Sequence, residues 1–453
     1  MIDFLEKVNG FVWGVPALVM ILGVGLYLSV RTGFVQLRMF PRALCSFFRQ
    51  FIDAGNTDEG ISGYQALCTA LAATVGTGNL AGVAGAIAIG GPGAVFWMWI
   101  CALFGMATKF AEASLASCYR KKNEEGEYVG GPMYMIRYGM GIKWGWMAGL
   151  YCFFGIVASF GVGNATQVNA ALSGIDMALR TFGGQLNMGT RITIGLLLTV
   201  LITILLLGGA KSIGSAAEKL VPIAAVGYLL LGMLVLIFRM EMIPQAFRVI
   251  VQGAFSPRAV TGGMIGSAFS ALRVGAARGV FTNEAGMGTA SIAHASAQVK
   301  HPVQQGLMGI VEVFIDTIVI CTMTALVILC SGVTIPYGTD VGVGLTTAAF
   351  SAVCGQWICI PISLALCCFA IATVLGWGLY GIRCAQYLFG QRVGRKFAAI
   401  QGCAVMLGAI LGTGTVWMLA EIVNGLMVLP NLIALAYLTP ELVKLLKNAP
   451  DRL

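Results

Sequence analysis

A chain of 453 residues that is 58% hydrophobic and only 10% charged is not a soluble domain, which carries about 25% charged residues. The net charge of +9 does not point to nucleic acid, because the basic residues flank apolar runs, as membrane topology requires. The 13 cysteines form no Cys-x-x-Cys pair and the only histidines are His294 and His301, which leaves neither a disulfide framework nor a zinc or histidine metal site.

Apolar runs long enough to cross a ~30 Å hydrocarbon core recur at 11–30, 62–90, 93–117, 146–172, 191–208, 219–238, 262–298, 305–331, 357–389, 397–414 and 416–438. In lipid a spanning helix satisfies its own backbone, and the ~10-residue alternating segments of a barrel do not occur. The expectation is an all-α membrane protein of about 11 transmembrane helices. The first run has no small-residue cleavage site before Arg31 and reads as a retained helix, not a signal peptide.

Basic residues stay on the cytoplasmic side. Arg31, Arg38, Arg42 and Arg49 lie in the segment 31–61, Arg120, Lys121 and Lys122 in 118–145, and Lys444, Lys447 and Arg452 in the tail. The alternate segments are poorer in them. This places the N-terminus outside and the C-terminus in the cytoplasm of a multi-pass cell-membrane protein.

Two spans are anomalous. Thr74-Val75-Gly76-Thr77-Gly78-Asn79 crowds glycines and polar residues into the centre of one. Glycines such as Gly82, Gly85, Gly263 and Gly266 can serve close helix packing, but glycine is a poor helix former, and a helix broken at mid-membrane persists only where the freed backbone lines a cavity or binds something. The span 262–298 is nearly twice the necessary length and carries Arg278, Asn283 and Glu284 in its middle. Without the first helix, these two are the first and sixth of ten. Interrupted helices at corresponding places in two halves point to an inverted-repeat transporter with a central site.

Charges within spans are costly. Lys109 and Glu112, and Glu312 and Asp316, each share a helical face by spacing. The first pair reads as a structural ion pair. The second reads as a further cation or proton site, or as partners of Arg273 or Arg278.

The run from Tyr64 to Asn79, the segment Gly90-Gly91-Pro92-Gly93-Ala94, Lys109-Phe110-Ala111-Glu112, Tyr128-Val129-Gly130-Gly131-Pro132-Met133-Tyr134, and Arg278 through Gly288 together resemble the alanine/glycine:cation symporter family. The resemblance covers essentially the whole chain. It implies a LeuT-type 5+5 inverted repeat with one extra N-terminal helix: 1–60 the extra helix and a cytoplasmic loop, 61–238 and 239–440 the two repeats, and 441–453 a cytoplasmic tail. It implies import of alanine and glycine with Na⁺, or with H⁺ in its place. No oligomeric state follows, and a monomer is compatible with the pattern.

An amino-acid zwitterion at mid-membrane needs a partner for each charge. Free backbone N–H groups at a half-helix start suit the carboxylate, which points to Thr77, Gly78 and Asn79. Gln167, in the polar run 164–169, either adds a side-chain contact or only joins helices. Similarity to the wider superfamily puts the second unwound point at Ala268-Phe269-Ser270, with its carbonyls on the ammonium. The same similarity implies a sodium held by carbonyls of Ala72, Val75 and Ala370 and the hydroxyl of Thr373, a hydroxyl that could instead bond back to its own helix. Trp377, one turn beyond Thr373, is expected to wall the cavity together with Phe269. A channel would show a repeated filter sequence, and a membrane enzyme a nucleophile–base set or a motif such as HExxH or GxSxG. Neither occurs.

Overall fold

The computed structural model describes residues 2–52, 60–263, 265, 267–339, 341–410 and 414–450; Gly266 and Arg452 lie outside the described residues. Among these, nine helices are long and apolar enough to cross a membrane, and the bent pair Gly63–Thr74 with Gly78–Gly90 makes a tenth. The expected span 262–298 is divided into two shorter helices. In chain order, the elements that position the site are α1 (Val15–Arg31), α2 (Gly63–Thr74), α3 (Val83–Gly90), α4 (Gly93–Cys118), β1 (Lys121–Lys122), β2 (Tyr128–Val129), α5 (Gly145–Phe160) and α6 (Thr166–Thr181). They continue with α7 (Met188–Leu207), α8 (Gly209–Phe238), α9 (Ala268–Asn283), α10 (Thr289–Ala295), α11 (Pro302–Val313), α12 (Thr322–Cys330), α13 (Gly342–Cys354), α14 (Cys359–Phe389), α15 (Val393–Ile410) and α16 (Gly414–Lys447).

The chain is turned inside out relative to a soluble protein. Leu197, Val200 and Ile204 on α7, and Ile223, Leu230 and Ile237 on α8, face outward, while Lys109, Glu112, Glu284, Glu312 and Asp316 are all buried. Lipid tails solvate the first group, and only protein partners can satisfy the second.

The first break has a local cause. Val75 leaves the helical region with ψ of 97°, and the freed N–H of Gly76 donates to Asn79 Oδ1 at 2.8 Å. The side chain of Asn79 thus caps the break, and the helix resumes at an angle of 50°. At the second break Glu284 ends α9 in the left-handed region, with φ of 54°. The N–H groups of Gly286 and Gly288 then donate to one carboxylate oxygen of Glu112, at 2.9 and 3.0 Å. That oxygen also accepts from Asn431 Nδ2 at 2.6 Å. A carboxylate from α4 therefore does for the second break what Asn79 does for the first, since orphan N–H groups at a helix end must find an acceptor in a medium without water.

α14 packs against α2, α5, α6 and α8, and α4 packs against α9, α10 and α11. Each broken helix is thus held against one long unbroken helix. β1 and β2 form a small antiparallel hairpin between α4 and α5, with Lys121 paired to Val129 and Lys122 to Tyr128.

Candidate functional site

The first break meets α14 and α6. A Cβ on Gly76 would stand 2.7 Å from Thr373 Oγ1 and 3.7 Å from Gln167 Oε1, so glycine is what lets these three meet. Thr77 Oγ1 donates to Gln167 Oε1 at 3.0 Å, and Gln167 Nε2 donates to the carbonyl of Val162 at 3.1 Å. The Thr373 hydroxyl is buried and makes no hydrogen bond with any described residue, so it is not bonded back to its own helix. Ala72 and Val75 at the end of α2, and Ala370 one turn before Thr373 on α14, are equally buried.

Asn79 is fully engaged within the protein. Besides capping Gly76, it donates through Nδ2 to Asp316 Oδ1 at 2.6 Å. Asp316 lies in a π-helical stretch, Phe314–Cys321, of the kind that recurs at functional sites.

A cavity of about 430 Å³ leads to this layer, lined by Thr77, Gly78, Asn169, Ser173, Phe281 and the start of α13. The hairpin lies toward the far end of α14. There Arg383 Nη2 donates to Glu127 Oε2 at 2.8 Å, and Arg120 donates to the carbonyls of Ala297 and Val299.

Phe269 and Ser270 are not at the second break. α9 is continuous from Ala268 to Asn283, so Phe269 sits at its start, about 21 Å along the axis from the helix end, and is 54% exposed. The carbonyls that follow it belong to an intact helix. The Phe-then-hydroxyl pair recurs at Phe281-Thr282, and it is this pair that stands beside the first break: Phe281 lines the cavity, and the Thr282 methyl lies 3.3 Å from where a Cβ on Gly78 would be. Trp377 has no part in a wall with Phe269. Its indole N–H donates to Glu284 Oε1 at 3.0 Å and its ring packs edge-on against Tyr380.

The ion pairs also differ from the spacing rule. Lys109 Nζ bonds Glu312 at 2.9 Å, not Glu112. Glu312 also faces His294 Nε2 at 3.0 Å. Arg278 lies 3.7 Å from Glu421. Glu312 and Asp316 therefore serve different partners.

Two helices interrupted at mid-span, facing one buried polar layer that a cavity reaches from one side, define a secondary transporter. The chain belongs to the sodium:alanine symporter family, whose model matches residues 1–451. It is similar to the sodium/alanine symporter AgcS of Methanococcus maripaludis, 43% identical over 97% of this chain and 95% of that one. It is also similar to an uncharacterized transporter of Haemophilus influenzae, 42% identical over 100% of this chain and 96% of the relative. Among solved structures it resembles MhsT in complex with L-phenylalanine, with a TM-score of 0.56 at 12% identity, over 86% of this chain and 99% of that chain. That likeness shows a LeuT-type fold. The chain is a multi-pass membrane transporter of the sodium-coupled amino-acid symporter class, and not an enzyme.

Proposed function

We propose that this chain imports alanine and glycine together with Na⁺ by alternating access, its N-terminus outside and its C-terminus in the cytoplasm. The observation that carries the reading is the Thr373 hydroxyl, buried without a hydrogen bond against the broken backbone at Gly76. A hard cation takes oxygen ligands, and this oxygen, with the carbonyls of Ala72, Val75 and Ala370, is the sodium set. The substrate carboxylate meets the N–H groups of Thr77 and Gly78 and the side chain of Gln167, and the ammonium meets carbonyls freed at the second break. Asn79 holds the first break in shape for them.

Alternating access is supported by the asymmetry of the two ends. The cavity reaches Thr77 and Gly78 from the side of α13. On the other side the hairpin ties α4 to α14 through Glu127 and Arg383, and to the end of α10 through Arg120. The loops richest in arginine and lysine lie on this closed, cytoplasmic side. The fold reading that goes with this is eleven spans, with five-helix repeats at 61–238 and 239–440 that each include one broken helix.

H⁺ in place of Na⁺ is the second reading, favoured by Asp316, a buried carboxylate with no basic ion-pair partner among the described residues. Uptake of radiolabelled alanine into proteoliposomes, with a Na⁺, Li⁺ or pH gradient imposed in turn, tests both. Accumulation driven by Na⁺ alone supports the first reading, accumulation driven by the pH gradient alone supports the second, and none under any gradient overturns both.

A further inference from the structure

Glu284 stands out on three independent counts. It is one of only two non-glycine residues with positive φ among the described residues, a conformation that strains a residue carrying a side chain. It is 3% exposed and forms no ion pair with a basic side chain among the described residues, although buried carboxylates usually have one. Its two oxygens are spent on neutral donors from two elements: Oε1 accepts from Trp377 Nε1 at 3.0 Å, and Oε2 from Thr289 Oγ1 at 2.5 Å.

Those partners place it. Trp377 follows Thr373 by one turn of α14, about 6 Å down the same face. Across from it, Gly163 precedes Gln167 by the same four residues, and a Cβ on Gly163 would collide with Trp377 Cβ and the indole. Gln167 with Thr373, and Gly163 with Trp377, are therefore successive layers. The Trp377 layer lies toward Arg383 and the hairpin, beneath the site at Gly76. Trp377 is fully buried, and a buried indole N–H needs an acceptor to stay where it is. Glu284 supplies it from the break itself, and Thr289 at the first turn of α10 fixes the carboxylate in turn.

We propose that Glu284 is the positioning residue that limits substrate size: held in the break between α9 and α10, its carboxylate locks the Trp377 indole across the inner end of the site, so that only the shortest side chains fit above it. The inference rests on the reading of the chain as a small-amino-acid symporter. It accounts for why a strained, non-glycine residue occupies the C-cap of α9, where glycine would sit without strain. It also makes the floor of the site depend on the second break, so that displacing α10 releases the indole.

The test uses Glu284→Gln, which keeps an acceptor for the indole, Glu284→Ala, which removes it, and Trp377→Phe, which removes the donor and keeps a ring. The full-length protein is labelled with 5-fluorotryptophan, the Trp377 resonance is assigned by its loss in Trp377→Phe, and alanine and glutamine uptake are measured in proteoliposomes. One narrow Trp377 line is expected in wild type and Glu284→Gln, and a broadened or split line in Glu284→Ala. The ratio of alanine to glutamine uptake should fall about tenfold in Glu284→Ala and Trp377→Phe, the order of discrimination that a methylene's worth of pocket space supports, and Glu284→Gln should retain it. A Trp377 line unchanged in Glu284→Ala overturns the clamp, and an unchanged ratio with a disturbed line overturns the size limit. If Glu284→Ala does not fold, Trp377→Phe with an unchanged ratio does the same. Wild-type protein that takes up no alanine under any ion gradient refutes the functional reading and with it the size limit, while the fluorine line still decides the clamp.

Discussion

The Thr373 hydroxyl faces the backbone of Gly76 closely enough that a single methyl group on the glycine would stand 2.7 Å from it. The contact joins the middle of α14 to the place where α2 unwinds, and none of the described residues hydrogen-bonds that oxygen. A polar group so placed costs free energy unless something binds it.

Thr373→Ala is therefore expected to raise the Na⁺ concentration for half-maximal alanine binding by about tenfold, the loss of roughly 1.4 kcal/mol of ion binding. At saturating Na⁺ the affinity for alanine should be nearly unchanged, because linkage passes the ion's effect to the substrate only while the ion is limiting. Thr373→Ser should retain most function. Titrating alanine binding against Na⁺ checks all three proteins, and a wild-type midpoint in Thr373→Ala removes this residue from the ion site.

Gly76→Ala should abolish alanine binding while the protein still elutes as a single species in detergent. The added methyl enters the space between Thr373 and Gln167, so it separates the three elements that meet there. Wild-type alanine affinity in this variant would move the site away from the first break.

Ten of the eleven expected spans, among the described residues, and the first break were legible in the sequence because each is written locally: apolar runs of membrane length, and Gly76, Gly78 and Asn79 crowded where a helix should be smooth. The second break was legible in the polar middle of the span 262–298, where Asn283 and Glu284 do end α9, and only the superfamily likeness put it at Phe269-Ser270. Phe269-Ser270 and Phe281-Thr282 are the same short pattern, and only the continuity of α9 through Asn283 separates them. The partners were the least legible. Spacing pairs Lys109 with Glu112 on one helical face, but Lys109 reaches Glu312, 203 residues away, and Glu112 is taken by the backbone of Gly286 and Gly288. Those choices are made by how α4 packs against α10 and α11, which no local pattern records. Glu284 was read as one of the residues that interrupt the span 262–298, and a glutamate among glycines just past a helix end also signals a strained cap.

Removing one member of the buried Lys109–Glu312 pair leaves an unpaired charge, which costs about 3–5 kcal/mol. Lys109→Met should accordingly lower the temperature at which the detergent-solubilised protein loses its monodisperse size-exclusion peak, and Lys109→Met with Glu312→Gln should recover most of the loss. A double variant as unstable as the single one would show that Glu312 is held chiefly by His294, its other partner at 3.0 Å.

The ion pair between Arg383 and Glu127 offers the sharpest test of how the hairpin side, proposed above to be cytoplasmic, opens. Arg383 is nearly buried on α14, whereas Glu127 is 35% exposed at the hairpin, so the pair stabilises the closed state by no more than about 1 kcal/mol. A difference of that size is smaller than the several kcal/mol that hold a protein folded, but it shifts an equilibrium between closed and open forms about fivefold. Ser296 lies buried behind the hairpin, in the cavity shared with Lys122 and Tyr128, so a cysteine there reports opening. In a cysteine-depleted background, Ser296→Cys should react slowly with a membrane-impermeant maleimide applied from the cytoplasmic face of inside-out vesicles. Arg383→Gln or Glu127→Gln should speed that reaction about fivefold, and the exchange of the two charges, Arg383→Glu with Glu127→Arg, should slow it again. Charge exchange restores the attraction but not the packing, so partial restoration is the expected result. If both single variants label at the wild-type rate, the hairpin stays closed without this pair, and the contacts of Arg120 with Ala297 and Val299 hold it there instead.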